Sequence, residues 1–395
     1  MLYCLHFPVA DMLSKKEISR YERHLLLPEI GISGQEKLKG ASVLMIGAGG
    51  LGCPALLYLA AAGVGRIGIV DDDIVEESNL QRQILYNDSD IAKSKVELTK
   101  KKLQQQNPEI QIDAFNERLT TSNAIRLISD YNIILDGTDN FPTRYLLNDA
   151  CFLLKKTLVS GSIFKFEGQV SVFDFRKDHS PTYRCLFPTP PSAAQAPDCS
   201  EIGVIGVLPG IIGSLMALET IKVITNIGLV ESGRLLLFNA LNLAFQTLEF
   251  EYNPESLKLM PKNIDEFEKQ DYDYFCNANS GIISSDEISS EELNELLRSN
   301  VKIQILDVRE VYEEPEVRAL KDLNIPLWKL EESTHKISID KKVVVICKTG
   351  VRSRKAIELL QTKFNMNNLL NLRGGVTEWL RMENETVNNG NEKEA

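Results

Sequence analysis

This 395-residue sequence has no apolar run approaching the ~20 residues of a membrane span, no surplus of positive charge, and no closely paired cysteines. The first absence argues against a membrane partner. The net charge of −11 excludes non-specific nucleic-acid binding, since no basic stripe offsets it. The seven cysteines (Cys4, Cys53, Cys151, Cys185, Cys199, Cys276 and Cys347) are scattered, which suits a reducing cytoplasm in which any important thiol acts as a reagent. No basic segment precedes the apolar part of the first residues, so they do not read as a secretion signal, and a cytoplasmic location is expected. Apolar content of 43% and charged content of 25% are ordinary for a globular protein, and the length allows about two or three domains.

The most informative stretch is 43–54, VLMIGAGGLGCP. A short apolar run leads into Gly47, Gly49, Gly50 and Gly52, and a helical pattern begins near Pro54. This strand–turn–helix layout satisfies G-x-G-x-x-G and makes a phosphate site, because glycines let backbone N–H groups approach an anion at a helix N-terminus. A second strand over 67–70 ends in Asp71-Asp72-Asp73, completing a βαβ unit with an acid suited to a ribose hydroxyl. A tight turn in some α/β domain is the plain alternative.

The downstream residues separate the chemistries. The loop Ser78-Asn79-Leu80-Gln81-Arg82-Gln83 holds a cation and amides, and Lys95 lies on an amphipathic segment beyond it. Hydride transfer has no use for extra cations beside the phosphates. Cleavage of ATP builds negative charge on the departing pyrophosphate, which an arginine and a lysine stabilise. A strand over 133–135 then runs into Asp136-Gly137-Thr138-Asp139-Asn140. Carboxylates at the carboxyl end of a buried parallel strand can hold Mg²⁺ beside a nucleotide. Asp139 or Asn140 could equally cap the helix over 142–154. The lead over 14–40, with Arg20, Arg23 and His24, reads as polar and helix-prone.

Strands over 158–175 continue the sheet, and 176–205 is irregular, with Cys199 near its end. An apolar helix spans 209–225, followed by strands at 235–238 and 243–250. Residues 253–288 read as a linker, 289–383 as a second α/β domain, and 384–395 as a disordered tail. In the second domain a strand over 343–346 runs directly into Cys347-Lys348-Thr349-Gly350-Val351-Arg352-Ser353 and a helix. Successive N–H groups and a helix N-terminus can converge there on the sulfur and favour a thiolate or persulfide.

The set Arg20-Tyr21-x-Arg23-His24, Gly47 to Gly52, Asp71 with Asp73, Ser78 to Gln83, Lys95 and Asp136 to Asn140 closely resembles the E1-like adenylyltransferases of the MoeB/ThiF/HesA family. The Cys347 loop, with four residues before Arg352, resembles that of rhodanese-type sulfurtransferases; related phosphatases have one residue more. Asp307-Val308-Arg309, Ile325-Pro326-Leu327, Leu372-Arg373-Gly374-Gly375 and Trp379 also resemble rhodanese features, whereas 313–323 lacks the usual His-x-x-Gly. The resemblance implies an α/β fold: a Rossmann-like adenylation domain with a mixed sheet over 14–252, joined to a smaller rhodanese-like domain. It further implies that Gly47 and Gly49 lie against ATP, with Gly50, Gly52, Asp73, Asp136 and Asn140 in the same site. Asp71 would bind the ribose, Asn79, Arg82 and Lys95 the triphosphate, and Asp139 the Mg²⁺. Arg20 would reach the ATP of a neighbouring subunit in a homodimer, and Cys199 matches a mobile-loop cysteine proposed for acyl or disulfide intermediates. Relatives hold a structural zinc through two C-x-x-C pairs; here Thr182 replaces one partner of Cys185, and the second pair is missing, so no such zinc is expected.

The implied reaction is adenylylation of the C-terminal glycine of a ubiquitin-like sulfur carrier. A Cys347 persulfide, charged by a donor such as a cysteine desulfurase, then forms a thiocarboxylate with Arg352 in its loop. Molybdopterin synthesis is the expected pathway, with thiamine synthesis and tRNA thiolation as alternatives. A nicotinamide-dependent oxidoreductase leaves Arg82, Lys95 and the Cys347 loop unexplained. A non-catalytic scaffold has no need of Lys95, Asp139 and Cys347.

Overall fold

A computed structural model describes residues 12–190, 203–272, 286–299, 302–315, 317–320 and 322–382. The chain divides into two compact units, the first ending near Asn277 and the second running from Ala278.

The first unit opens with three short helices, α1 (Lys15–Arg20), α2 (Glu22–Leu25) and α3 (Gly31–Gly40). There follow β1 (Ser42–Ile46), α4 (Gly52–Ala62), β2 (Arg66–Val70), α5 (Lys95–Gln106), β3 (Gln111–Phe115), α6 (Thr121–Ser129), β4 (Ile133–Asp136), α7 (Phe141–Leu153) and β5 (Thr157–Phe164). Antiparallel pairing then takes over with β6 (Glu167–Asp174), and after α8 (Tyr183–Leu186) and α9 (Val207–Thr225) come β7 (Arg234–Asn239) and β8 (Ala244–Glu249). The eight strands form one sheet in the order β3-β2-β1-β4-β5-β6-β7-β8, mixed as expected.

The register decides where a ligand can sit. Phe115, Val70, Ile46, Asp136 and Ser160 lie side by side, so β3, β2, β1 and β4 end at one level while β5 runs on past it to Phe164. Chain order reverses between β1 and β4, and the crevice beyond strand ends at such a reversal is where open α/β sheets bind ligands. The strands are apolar because helices cover both faces. One face packs Leu56, Leu59, Ile212 and Met216; the other packs Tyr131, Tyr145, Phe173 and Phe267.

Helix α9, expected from sequence as an apolar helix over 209–225, is long and apolar enough to cross a membrane by length and composition, which corrects the reading that no apolar run approaches that length. It serves as a core helix. Leu208, Ile212, Met216 and Ile224 are fully buried, and a Cβ on Gly161 of β5 would strike the Met216 sulfur.

The expected linker over 253–288 begins too early. Residues 253–272 form α10 (Pro254–Leu257) and α11 (Ile264–Glu268), each started by an asparagine whose side chain accepts a backbone N–H. Phe267 and Tyr272 drop into the core, and the Tyr272 hydroxyl donates to Asp149 at 2.9 Å. Two helices of four and five residues carry too little periodicity to show in sequence.

In the second unit, β9 (Asp286–Ile288), α12 (Ser290–Arg298), β10 (Ile303–Asp307), β11 (Leu323–Asn324), β12 (Lys342–Ile346), α13 (Val351–Phe364) and β13 (Leu369–Leu372) build a parallel sheet ordered β11-β10-β12-β13-β9. Apolar clusters lie on both of its faces. The tail over 384–395 lies outside the described residues.

Candidate active sites

The crevice of the first unit holds a cavity of about 370 Å³. Every aligned strand end contributes: Gly47, Gly49 and Gly50 after β1, Asp71 to Asp73 after β2, Glu117 and Arg118 after β3, and Gly137 to Asn140 after β4. Arg82, Gln83, Lys95 and Arg144 complete its polar lining.

The glycine turn is shaped for an anion. Gly47 has φ +93°, in the left-handed region, and a Cβ on Gly52 would lie 2.0 Å from the Gly47 oxygen, so α4 starts hard against the turn. Gly52 therefore shapes the site without lining it. Ala48 donates to Asp71 Oδ2 at 2.7 Å, while the N–H groups of Gly49, Gly50 and Leu51 have no described acceptor. Gln83 Oε1 is also buried without a partner beside this turn. Buried donors and acceptors are nearly always satisfied, so these groups fit a bound polyanion and its companions.

The cations and carboxylates are arranged in pairs. Lys95, almost fully buried, donates to Asp73 Oδ2 at 2.8 Å, and Arg82 donates to the Ser78 carbonyl at 3.0 Å. Burial raises the Asp71 carboxyl above its ordinary range, against the pull of Lys95 and the N–H groups of Ala48 and Asp73. Asp139 is exposed to the cavity and has no hydrogen bond or ion pair among the described residues. Asn140 caps α7, accepting the Thr143 N–H at 3.0 Å, as one reading of that run has it, and it also lines the cavity.

Asp136 and Asn79 do not line this cavity, and neither does Arg20, whose expected place is the site of a neighbouring subunit. Asp136 is buried beneath the cavity, where its oxygens accept from Thr138 and Ser160, and burial raises its carboxyl. It props the loop and does not line the cavity. Asn79 is turned into its own 3₁₀ turn toward Glu76 and Ser78. Arg20 is exposed on α1 and donates to the Gln106 carbonyl at 3.0 Å. Glu117, Arg118 and Arg144, none of them singled out from sequence, do line the cavity, as does Thr138 of the expected motif. Cys199 lies outside the described residues.

In the second unit Cys347 follows the carboxyl end of β12 and is buried. The Gly350 N–H donates to its Sγ at 3.1 Å, and Ser353 Oγ lies 3.4 Å from the same sulfur. The loop is braced from behind by Val376 and Thr377, whose N–H groups bond the Cys347 and Lys348 carbonyls. Arg352, at the start of α13, is held by Glu313 through two contacts of 2.5 and 2.6 Å. Two other cysteines are chemically quiet: burial pushes Cys53 up to about 12 and raises Cys151 as well.

Around Cys185, where the resemblance led to the expectation of no zinc, the thiol is surrounded by hydrogen-bonding groups. Cys185 Sγ contacts Ser256 Oγ at 3.2 Å, Thr182 Oγ1 at 3.5 Å, and the N–H groups of Thr182 and Asn253 at 3.3 and 3.4 Å. One thiol with hydroxyl and amide neighbours does not make the four-ligand thiolate set that structural zinc requires.

The family model described as "ThiF family" matches residues 21–258, and the model described as "Rhodanese-like domain" matches residues 289–382. The chain is 42% identical over 384 residues to the probable adenylyltransferase/sulfurtransferase MoeZ of Mycobacterium tuberculosis, covering 94% of this chain and 95% of that protein. It is 39% identical over 386 residues to the adenylyltransferase and sulfurtransferase MOCS3 of Aedes aegypti, covering 93% and 88%. A sulfur carrier protein adenylyltransferase of Thermus thermophilus is 48% identical over 266 residues, 67% of this chain and 98% of its own. Among solved structures, PaaA has the same fold at 22% identity and a TM-score of 0.53, covering 63% of this chain and 78% of that one. The chain belongs to the ThiF family, as an enzyme that joins an adenylyltransferase domain to a rhodanese-like sulfurtransferase domain.

Proposed function

We propose that this enzyme uses ATP to adenylylate the C-terminal glycine of a ubiquitin-like sulfur-carrier protein and then converts that carboxyl group to a thiocarboxylate with sulfur held on Cys347. The observation that carries the reading is the joint presence of an anion cradle with paired cations at one parallel strand end and a sulfur-cradling loop at another.

A carboxylate is a poor electrophile, and adenylylation supplies a good leaving group. The glycine carboxylate oxygen attacks the α-phosphorus, the bond from that phosphorus to the bridging oxygen breaks, and pyrophosphate leaves. The unsatisfied N–H groups of Gly49, Gly50 and Leu51 would receive phosphate oxygens, and Arg82 and Lys95 would stabilise charge on the departing group. Asp139, unpaired and facing the cavity, fits a Mg²⁺ ligand, since that ion is commonly held by one or two carboxylates plus phosphates. The metal would supply further neutralisation of the triphosphate. Next, the terminal sulfur of a Cys347 persulfide attacks the acyl carbon and AMP departs. A second thiolate, for which Cys199 is the family-matched residue, then attacks the Cys347 sulfur, the S–S bond breaks and the thiocarboxylate leaves with the bonding pair; the disulfide left on Cys347 is reset by an external dithiol.

We infer a homodimer in which Arg20 reaches the neighbouring subunit, a cysteine desulfurase as persulfide donor, and a cytoplasmic setting. The domain order favours molybdopterin synthesis. ATP–pyrophosphate exchange with a panel of carriers ending in Gly-Gly tests the reading. Exchange with a molybdopterin-type carrier is expected; exchange only with a thiamine or tRNA-thiolation carrier reassigns the pathway, and none with any carrier rejects the activity.

A further inference from the structure

The Cys347 loop runs from the sulfur to Arg352 in five residues, and a cation in such a loop is the kind of group that draws a small anion. Its guanidinium is committed elsewhere. Nη1 and Nη2 face the two carboxylate oxygens of Glu313 at 2.5 and 2.6 Å, a fork-to-fork pair with both side chains largely buried. Glu313 is fixed in turn, because its Oε1 also accepts the Glu310 N–H at 2.8 Å. Burial opposes its ionisation, but Arg352, the Glu310 N–H and the charge of Arg309 together hold its carboxyl below the ordinary range, so it is ionised at neutral pH. Arg309 is itself bound to Asp307 at 2.7 Å. Arg352, one of the two cations of the loop beside the exposed Lys348, thus has a full counter-charge within contact distance.

We propose that Glu313 sets the sulfur-donor preference of the Cys347 site, turning it from small sulfane dianions such as thiosulfate toward a cysteine persulfide on another protein. The inference rests on the reading of Cys347 as the sulfur carrier. With thiosulfate, the Cys347 thiolate attacks the outer sulfur, that S–S bond breaks, and sulfite leaves with the bonding pair. The dianion has to approach the loop, and the guanidinium fork that would grip it faces Glu313 instead. With a protein persulfide, the thiolate attacks the terminal sulfur, the donor S–S bond breaks, and the donor cysteine leaves as a thiolate. That donor carries at most one charge at the reacting sulfur and is held by its own protein surface, so cancelling Arg352 costs it little. At a few ångströms a single protein charge changes the local concentration of a dianion by about tenfold or more.

The test compares the full-length enzyme with Glu313→Gln and Glu313→Asp. Glu313→Gln is expected to lower the thiosulfate KM about tenfold in thiosulfate–cyanide transfer, with kcat changed less than twofold. Labelled sulfur loaded from a cysteine desulfurase and cysteine should be unchanged or reduced, and Glu313→Asp should behave as the native enzyme. Alkylation of Cys347, followed on its own peptide, reads the charge without sulfur chemistry. Iodoacetate should gain several-fold over neutral iodoacetamide in Glu313→Gln, while the iodoacetamide rate stays constant. Glu313→Ala replaces the glutamine variant if that protein fails to accumulate. An unchanged or raised thiosulfate KM, or an unchanged iodoacetate to iodoacetamide ratio, overturns the inference. Failure of native Cys347 to load from either donor rejects the sulfur-carrier reading itself, and the alkylation ratio still decides the role of Glu313.

Discussion

Lys95 Nζ donates to the Asp73 carboxylate at 2.8 Å, and the two side chains differ sharply in exposure, 6% for the lysine and 67% for the aspartate. The lysine is therefore held in place by an acid that water can solvate on its own. Lys95→Ala should cost little stability, because Asp73 is left wet and not stranded. It should reduce ATP–pyrophosphate exchange about 10²–10³-fold, the usual loss on deleting a group aimed at developing charge. Asp73→Asn should retain exchange within about tenfold. Equal losses in both variants would mean that the pair acts only as a structural strut.

Arg184 and Asp149 form a fully buried ion pair, bonded at 3.0 and 2.7 Å, with the Tyr272 hydroxyl on the same carboxylate. Removing one partner leaves a buried charge uncompensated. Arg184→Leu should destabilise the first unit by about 3–5 kcal/mol in denaturant titration. A loss below 1 kcal/mol would show that water reaches this pair.

Cys185 offers a pH-dependent test. Burial opposes its ionisation, but hydrogen bonds from Ser256 and Thr182 and from the backbone at Thr182 and Asn253 outweigh it, so the thiol is held below its ordinary value. A depressed folded value means that the stabilisation is fully present above the unfolded thiol range and fades as pH falls through the folded value. The stability gap between the native enzyme and Cys185→Ala should therefore widen from pH 7 to pH 9. Ser256→Ala should raise the pH at which Cys185 becomes reactive toward a neutral alkylating agent. A gap that narrows with rising pH contradicts this arrangement. Strong chelators should leave thermal unfolding unchanged.

Cys347→Ala should abolish loading of labelled sulfur from a persulfide donor while leaving carrier-dependent ATP–pyrophosphate exchange within about twofold. Loss of exchange would show that the two reactions share more than a chain.

Sequence reading was strongest where chemistry is written locally. The turn from Gly47 to Gly52, the acid after β2 and the Cys347 loop each lie on consecutive residues, and each sits at a strand end as expected. It failed where the site is assembled by register. Glu117 and Arg118 join the cavity only because Phe115 stands level with Val70 and Ile46, a relation across 69 positions that no local pattern records. Asp136 and Asn79 stand off the cavity for a related reason: their residue types suit the chemistry, but one bonds to Ser160 of the next strand and the other turns into its own loop. The segment over 253–272 reads as linker in sequence because its anchors, Phe267 and Tyr272, are isolated aromatics among polar residues. Burial of two rings is enough to dock it, yet leaves no periodic trace.

The contact between Gly52 and the Gly47 carbonyl has a thermodynamic consequence. With no room for even a methyl group, the turn and the first residues of α4 are locked together when the sheet forms. Gly49, Gly50 and Leu51 line the cavity with amides that have no described acceptor, and the conformational entropy of arranging them is lost during folding. A phosphate chain arriving there need not organise its own receptor.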